Sequence, residues 1–131
     1  MLGSAVIMVK SAKQKLVSKD STEAELIALS DMMKHVDKCN AFMIAQGAKM
    51  KTPVLCQDNT STITLVKKGG GVWRSKYMRV RQESVKERLE MGDFVVEYTP
   101  TGEMVADILT KPLHGNLFKV MRRWVRGLER E

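Results

Sequence analysis

Between Val54 and Lys68 the sequence passes, within two residues, from an apolar run to a string of helix-opening residues. Val54-Leu55-Cys56 is long enough only for a buried strand, and Asp58-Asn59-Thr60-Ser61-Thr62 supplies the carboxylate, amide and hydroxyls that cap helices. Such a strand-to-helix corner belongs to an α/β sheet, where the carboxyl end of a buried strand borders the ligand crevice. Asp58 therefore has two readings. It is either a functional carboxylate at the strand end or, with Thr60, a cap for the next helix.

Upstream, Ala5-Val6-Ile7-Met8-Val9 is a β-branched apolar run preceded by the turn-forming pair Gly3-Ser4, and it reads as a strand. Ser11 to Lys19 is polar and reads as a solvated strand end or loop. Asp20-Ser21-Thr22-Glu23-Ala24-Glu25 then opens a long helix, with Asp20 and Glu23, or Thr22 and Glu25, at capping-box spacing. Leu26, Leu29, Met33, Val36 and Met43 form its apolar stripe, and Gln46-Gly47 closes it. Glu25 lies about 100° around the helix from Leu26, at the edge of that stripe. From there it can point along the sheet toward Asp58, or serve only as the acid of the capping box.

Downstream of the corner, a short helix from about Thr60 to Lys68 ends at Gly69-Gly70-Gly71. Ser75 can cap the next helix, which reaches Met91 with Met78, Val85 and Leu89 as its apolar line. Its other faces carry Arg74, Lys76, Arg79, Arg81, Lys86 and Arg88. Near Trp73 and Tyr77 these cations suit phosphate contacts beside a stacking platform, or they simply solvate the helix. Phe94 to Thr99 is a strand, and Thr101 caps a further helix that ends at Lys111-Pro112. Met104, Val105, Ile108 and Leu109 fill its buried side, from which Asp107 is excluded, leaving Asp107 as a site residue or as the i,i+4 partner of Lys111. Asn116 to Arg130 is a basic amphipathic helix, able to dock on the domain, bind nucleic acid or receive a partner protein.

The 131 residues suit one domain, read as 1–113 with the basic helix as 114–131. A net charge of +7 favours a polyanionic partner. Cys39 and Cys56 lack metal-ligand spacing and read as buried free thiols of an intracellular protein, in cytoplasm or nucleus and not secreted. No apolar run approaches the roughly 20 residues of a membrane span.

Separated carboxylates that converge on one crevice are what a pair of Mg²⁺ ions requires. Ser21-Thr22-Glu23-Ala24-Glu25-Leu26, Cys56-Gln57-Asp58-Asn59, Val96 to Thr101, and Ala106-Asp107-Ile108-Leu109-Thr110-Lys111-Pro112-Leu113 resemble, in order and spacing, one family. It is the ribonuclease H domain that closes the Pol polyprotein of copia-type retrotransposons, and the resemblance runs from about Gly3 to Leu128. It implies a mixed α/β (α+β) sheet of five strands with helices on it, and a Mg²⁺-dependent, two-metal hydrolysis of the RNA strand of RNA·DNA hybrids. Glu25, Asp58 and Asp107 correspond to the second, third and fourth catalytic and metal-binding carboxylates. Asn59, Arg74, Lys76, Arg79 and Arg81 fall where hybrid would be held, and the reverse transcriptase portion of Pol is an implied partner.

Two departures qualify the resemblance. The family's first catalytic Asp lies on a strand that would precede Met1, so the expected fold is ribonuclease H-like without its first strand and most of its second. Ala5 to Val9, Val54 to Gln57 and Phe94 to Thr99 would be the third, fourth and fifth strands. Where the family often has Lys-His-Ile-Asp, this chain has Lys76-Tyr77-Met78-Arg79. With one carboxylate of four gone, the expected activity is weak or nil; the alternative is a non-catalytic module that binds nucleic acid or Pol.

Overall fold

The computed structural model describes residues 6–15, 20–71, 73 and 75–128. It divides into two compact units, Leu16–Tyr98 and a second made of Met1–Lys15 with Thr99–Glu131.

The first unit contains α1 (Ser21–Ala45), β1 (Val54–Gln57), α2 (Thr60–Lys68), α3 (Lys76–Glu90) and β2 (Val95–Tyr98). β1 and β2 pair in parallel, Val54 beside Val95 and Gln57 beside Tyr98. Parallel neighbours need a long crossover, which α2 and α3 supply. The three helices pack on one another, and α2 also meets both strands. Leu26, Leu29 and Met33 of α1 join Leu55, Val66, Met78, Val85, Phe94 and Val96 in the core. Each such side chain contributes about 1.5–3 kcal/mol when fully buried. Ile27 is buried too, which widens the α1 stripe beyond the periodic positions read from sequence.

β1 is not buried on both faces. Its residues alternate, with Leu55 and Gln57 inside and Val54 and Cys56 exposed, so Cys56 is a surface thiol and Cys39 a half-buried one. A period of two carries every second side chain to the opposite face.

α1 starts as its capping residues require, with Asp20 accepting from the Glu23 amide at 2.9 Å. It stops where glycine permits: Gly47 sits at φ +83° while the Ala48 amide returns to the Met43 carbonyl at 3.0 Å. Ser75 occupies the N-cap of α3 without a capping side-chain bond.

In the second unit, residues 6–9 form no strand, and Ile7, Met8 and Val9 are about half exposed. Ala5, Gly3 and Ser4 lie outside the described residues. A β-branched run becomes a strand only with a ladder partner, and among the described residues the sole sheet is β1 with β2. The helix expected from Thr101 is instead two 3₁₀ segments, Thr101–Glu103 and Val105–Leu109, broken at Met104 with φ −75° and ψ 96°. Pro100 and Pro112 bound this stretch, and the residue before each proline is biased away from helical geometry. The expected buried side holds in part: Met104, Val105 and Ile108 are half-buried, but Leu109 is exposed and Asp107 is buried. α4 (Gly115–Val125) buries Met121 and leaves Lys119, Arg122, Arg123 and Arg126 exposed. It ends before Gly127, at φ +75°, where the Leu128 amide bonds back to the Arg123 carbonyl at 3.1 Å.

Candidate functional site

Of the expected site residues, Glu25 and Asp58 fall in the first unit and Asp107 in the second. The bland explanation for Asp58 was a helix cap. That role belongs to Asn59, which is the N-cap of α2 and accepts from the Thr62 amide at 3.2 Å. Asp58 stands one residue earlier, half-buried, just past the carboxyl end of β1. Asn59, expected to touch nucleic acid, has thus committed its side-chain oxygen to the fold.

Glu25 loses its bland explanation in the same way. With Asp20 as the N-cap, the acid three residues on is Glu23, and the Asp20 carboxylate takes the Glu23 amide. Glu25 lies beyond the box. Its Oε2 accepts from Gln57 Nε2 at 3.3 Å, while Gln57 Oε1 accepts from the Asn59 amide at 3.0 Å. Gln57 is 4% exposed, so this one buried amide ties the start of α1 to the turn that carries Asp58. Sequence reasoning passed over Gln57; a polar residue at an inward position of an alternating strand was its signal.

Asp107 keeps the simpler account. Its Oδ2 lies 2.7 Å from Lys111 Nζ, and its side chain is 11% exposed. This is the i,i+4 pair expected from spacing, more buried than its exposed counterparts usually are.

The cations of α3 divide into two groups. Arg81, placed among the nucleic-acid contacts, donates to Asp31 of α1 at 2.9 Å and to the Tyr77 hydroxyl at 3.1 Å, and it stacks on the Tyr77 ring. Burial opposes its charge, but the bonds to Asp31 and Tyr77 more than offset that and its pKa is raised. Arg88 grips both oxygens of Asp37 at 2.7 and 2.8 Å, bonds Asp93 at 2.8 Å and stacks on Phe94. Its hydrogen bond holds the Asp37 carboxyl below the usual carboxylate range, against the opposing effect of burial. Both arginines fasten α3 to α1, so neither is presented to a phosphate. Lys76 and Arg79 are exposed on α3; Arg74 lies outside the described residues.

As donors, Glu25 and Asp58 are hard carboxylates of the kind Mg²⁺ takes. Among the described residues, no three His, Cys, Asp or Glu side chains are grouped so as to hold a metal ion. No helix among the described residues is long and apolar enough to cross a membrane.

A parallel strand pair packed with helices makes this a mixed α/β chain. Its relatives are retrotransposon polyproteins. The chain is 26% identical over 127 residues, 95% of its length, to the truncated transposon Ty1-A Gag-Pol polyprotein of Saccharomyces cerevisiae. It is equally similar to the transposon Ty1-LR2 and TyH3 Gag-Pol polyproteins of that yeast. The chain spans 11% of the first relative's length and 7% of the other two. No family model matches it. No solved structure matches it.

Proposed function

We propose that this retrotransposon Pol-like segment is a ribonuclease H-like fragment of copia type that engages RNA·DNA hybrid, with Glu25 and Asp58 as its chemical end. The observation that carries the reading is the Gln57 bridge. It brings the α1 acid and the Asp58 turn together at the end of a parallel strand, after the capping roles have gone to Asp20 and Asn59. Glu25 and Asp58 would be ligands for Mg²⁺, which when bound supplies charge neutralisation and a polarised water for phosphodiester hydrolysis. Gln57 orients Glu25; Lys76 and Arg79 supply exposed positive charge. The reverse transcriptase portion of Pol is the natural partner.

With only part of the donor set in the first unit, hydrolysis by the chain alone is weak or absent. A gel assay with labelled hybrid and Mg²⁺ tests this. The expected result is salt-sensitive retention of hybrid, with any RNA cleavage removed by Asp58→Asn. Failure to retain hybrid at low salt would overturn the reading. The second reading, a module that binds nucleic acid without cleaving it, is favoured by the exposed basic face of α4. Retention that depends on Lys119, Arg122 and Arg126, with no cleavage, is its signature.

A further inference from the structure

An open groove of about 520 Å³ lies at the starts of α1 and α2, and neither Glu25, Gln57 nor Asp58 lines it. Its walls include Asp20 before α1, Thr60, Ser61 and Thr64 on the first turns of α2, and Gly71 and Trp73 before α3. Trp73 is held in place from behind. Its indole N–H donates to Gln82 Oε1, and the Gln82 amide donates to the Leu65 carbonyl at 2.9 Å and the Gly70 carbonyl at 2.7 Å. Gln82 is 1% exposed and uses both ends of its amide. The polar edge of the indole is thereby turned toward the interior, and the ring is left as a fixed aromatic wall.

Gly71 completes that wall. At φ +95°, a Cβ here would come within 3.0 Å of Leu65 Cδ2 and 3.6 Å of Trp73 Nε1, so glycine alone lets the backbone cross beside the ring.

The polar lining selects the ligand. Among the described residues its lining holds no lysine or arginine, and a phosphate entering it would meet the Asp20 carboxylate. Thr64 Oγ1 gives its proton to the Thr60 carbonyl at 3.0 Å, so toward the groove it accepts. Acceptors beside an aromatic wall suit a flat ring whose appendages are donors, such as a base with an amino group and a ribose with free hydroxyls. We propose that the groove takes the nucleoside moiety of an unpaired ribonucleotide. The base stacks on Trp73 and the ribose hydroxyls bond Asp20 and the α2 hydroxyls. The phosphates stay outside, where α3 begins three residues after Trp73 with exposed Lys76.

The choice of a nucleotide rests on the nucleic-acid reading above, whereas occupancy of the groove requires neither Glu25 nor Asp58. The chain has two tryptophans, so in the Trp124→Phe protein indole emission reports Trp73 alone. Titrations without divalent ion use an oligoriboadenylate, its deoxy counterpart and adenosine. Saturable quenching by the ribo-oligomer is expected, with the deoxy strand at least about threefold weaker and Thr60→Val/Ser61→Ala weakening the ribo-oligomer about tenfold. Both substituted positions are exposed, and unchanged circular dichroism and Tm confirm the fold. If adenosine saturates in the same concentration range as the oligomer, the ligand is a free nucleoside; if only the oligomer does, it is a strand. Absence of quenching, equal affinity for ribo and deoxy strands, or no effect of the double substitution overturns the proposal. Asp58→Asn and Glu25→Gln leave the quenching unchanged, which separates this result from that of the hybrid assay.

Discussion

α1 presents acids at two places, and it treats them differently. Along the α3 seam, Asp31 and Asp37 each meet an arginine at 2.9 Å or less, and one of those arginines also reaches Asp93. At the β1 end, Glu25 meets the neutral side-chain amide of Gln57, the residue that precedes Asp58, at 3.3 Å. Charge matched by charge at short range is a fastening. Charge steadied by a neutral donor remains available to an incoming cation, and that availability is what a binding end requires. Substitutions should therefore cost stability at the seam and ligand binding at the strand end.

The seam depends first on the core beneath it. Leu26→Ala removes a side chain that is 1% exposed, and urea unfolding should show a loss of about 2–5 kcal/mol. A loss below 1 kcal/mol would mean that α1 is not packed as described. Arg88→Met comes next. It leaves Asp37 and Asp93 without their shared cation, and a cost of about 1–2 kcal/mol is expected, reduced by the partial exposure of all three groups. Arg81→Met should cost less, because it releases the single acid Asp31.

A smaller effect is written into the pH dependence. The folded-state pKa of Asp37 is depressed below its ordinary 3.8 by the Arg88 hydrogen bond. A depressed carboxyl stabilises the fold above its unfolded pKa, and this is lost as pH falls through the lower folded value. As pH falls below about 4 the native protein should lose a little stability that Asp37→Asn does not lose, a small effect because the pair is well exposed to solvent. Coincident acid-denaturation curves for the two proteins would remove Asp37 from the fastening set.

Much of the first unit was legible from local rules. The Asp20 cap, the Gly47 stop, the strand at Val54 and the helix after it all follow from short-range chemistry. The acids were legible as candidates, but their roles were not. Deciding between a cap and a site required knowing which neighbour takes the amides of Glu23 and Thr62. Gln57 and Gln82 were overlooked because each interrupts an apolar pattern, and a buried amide is recognisable only when its distant partners are known. Residues 6–9 show the opposite failure. Their composition favours a strand, but strand formation depends on a partner elsewhere that local composition cannot supply. Over 101–111, helical spacing suggested a buried apolar side, and the 3₁₀ geometry turned Asp107 inward instead.

The most direct measurement is Mn²⁺-induced line broadening in the amide NMR spectrum. If Glu25 and Asp58 bind the ion, broadening should centre on residues 25, 57 and 58, spare residues 31 and 37, and vanish in Glu25→Gln/Asp58→Asn with stability changed by less than about 0.5 kcal/mol. Broadening centred on the seam acids, or unaltered by that double substitution, would contradict the account.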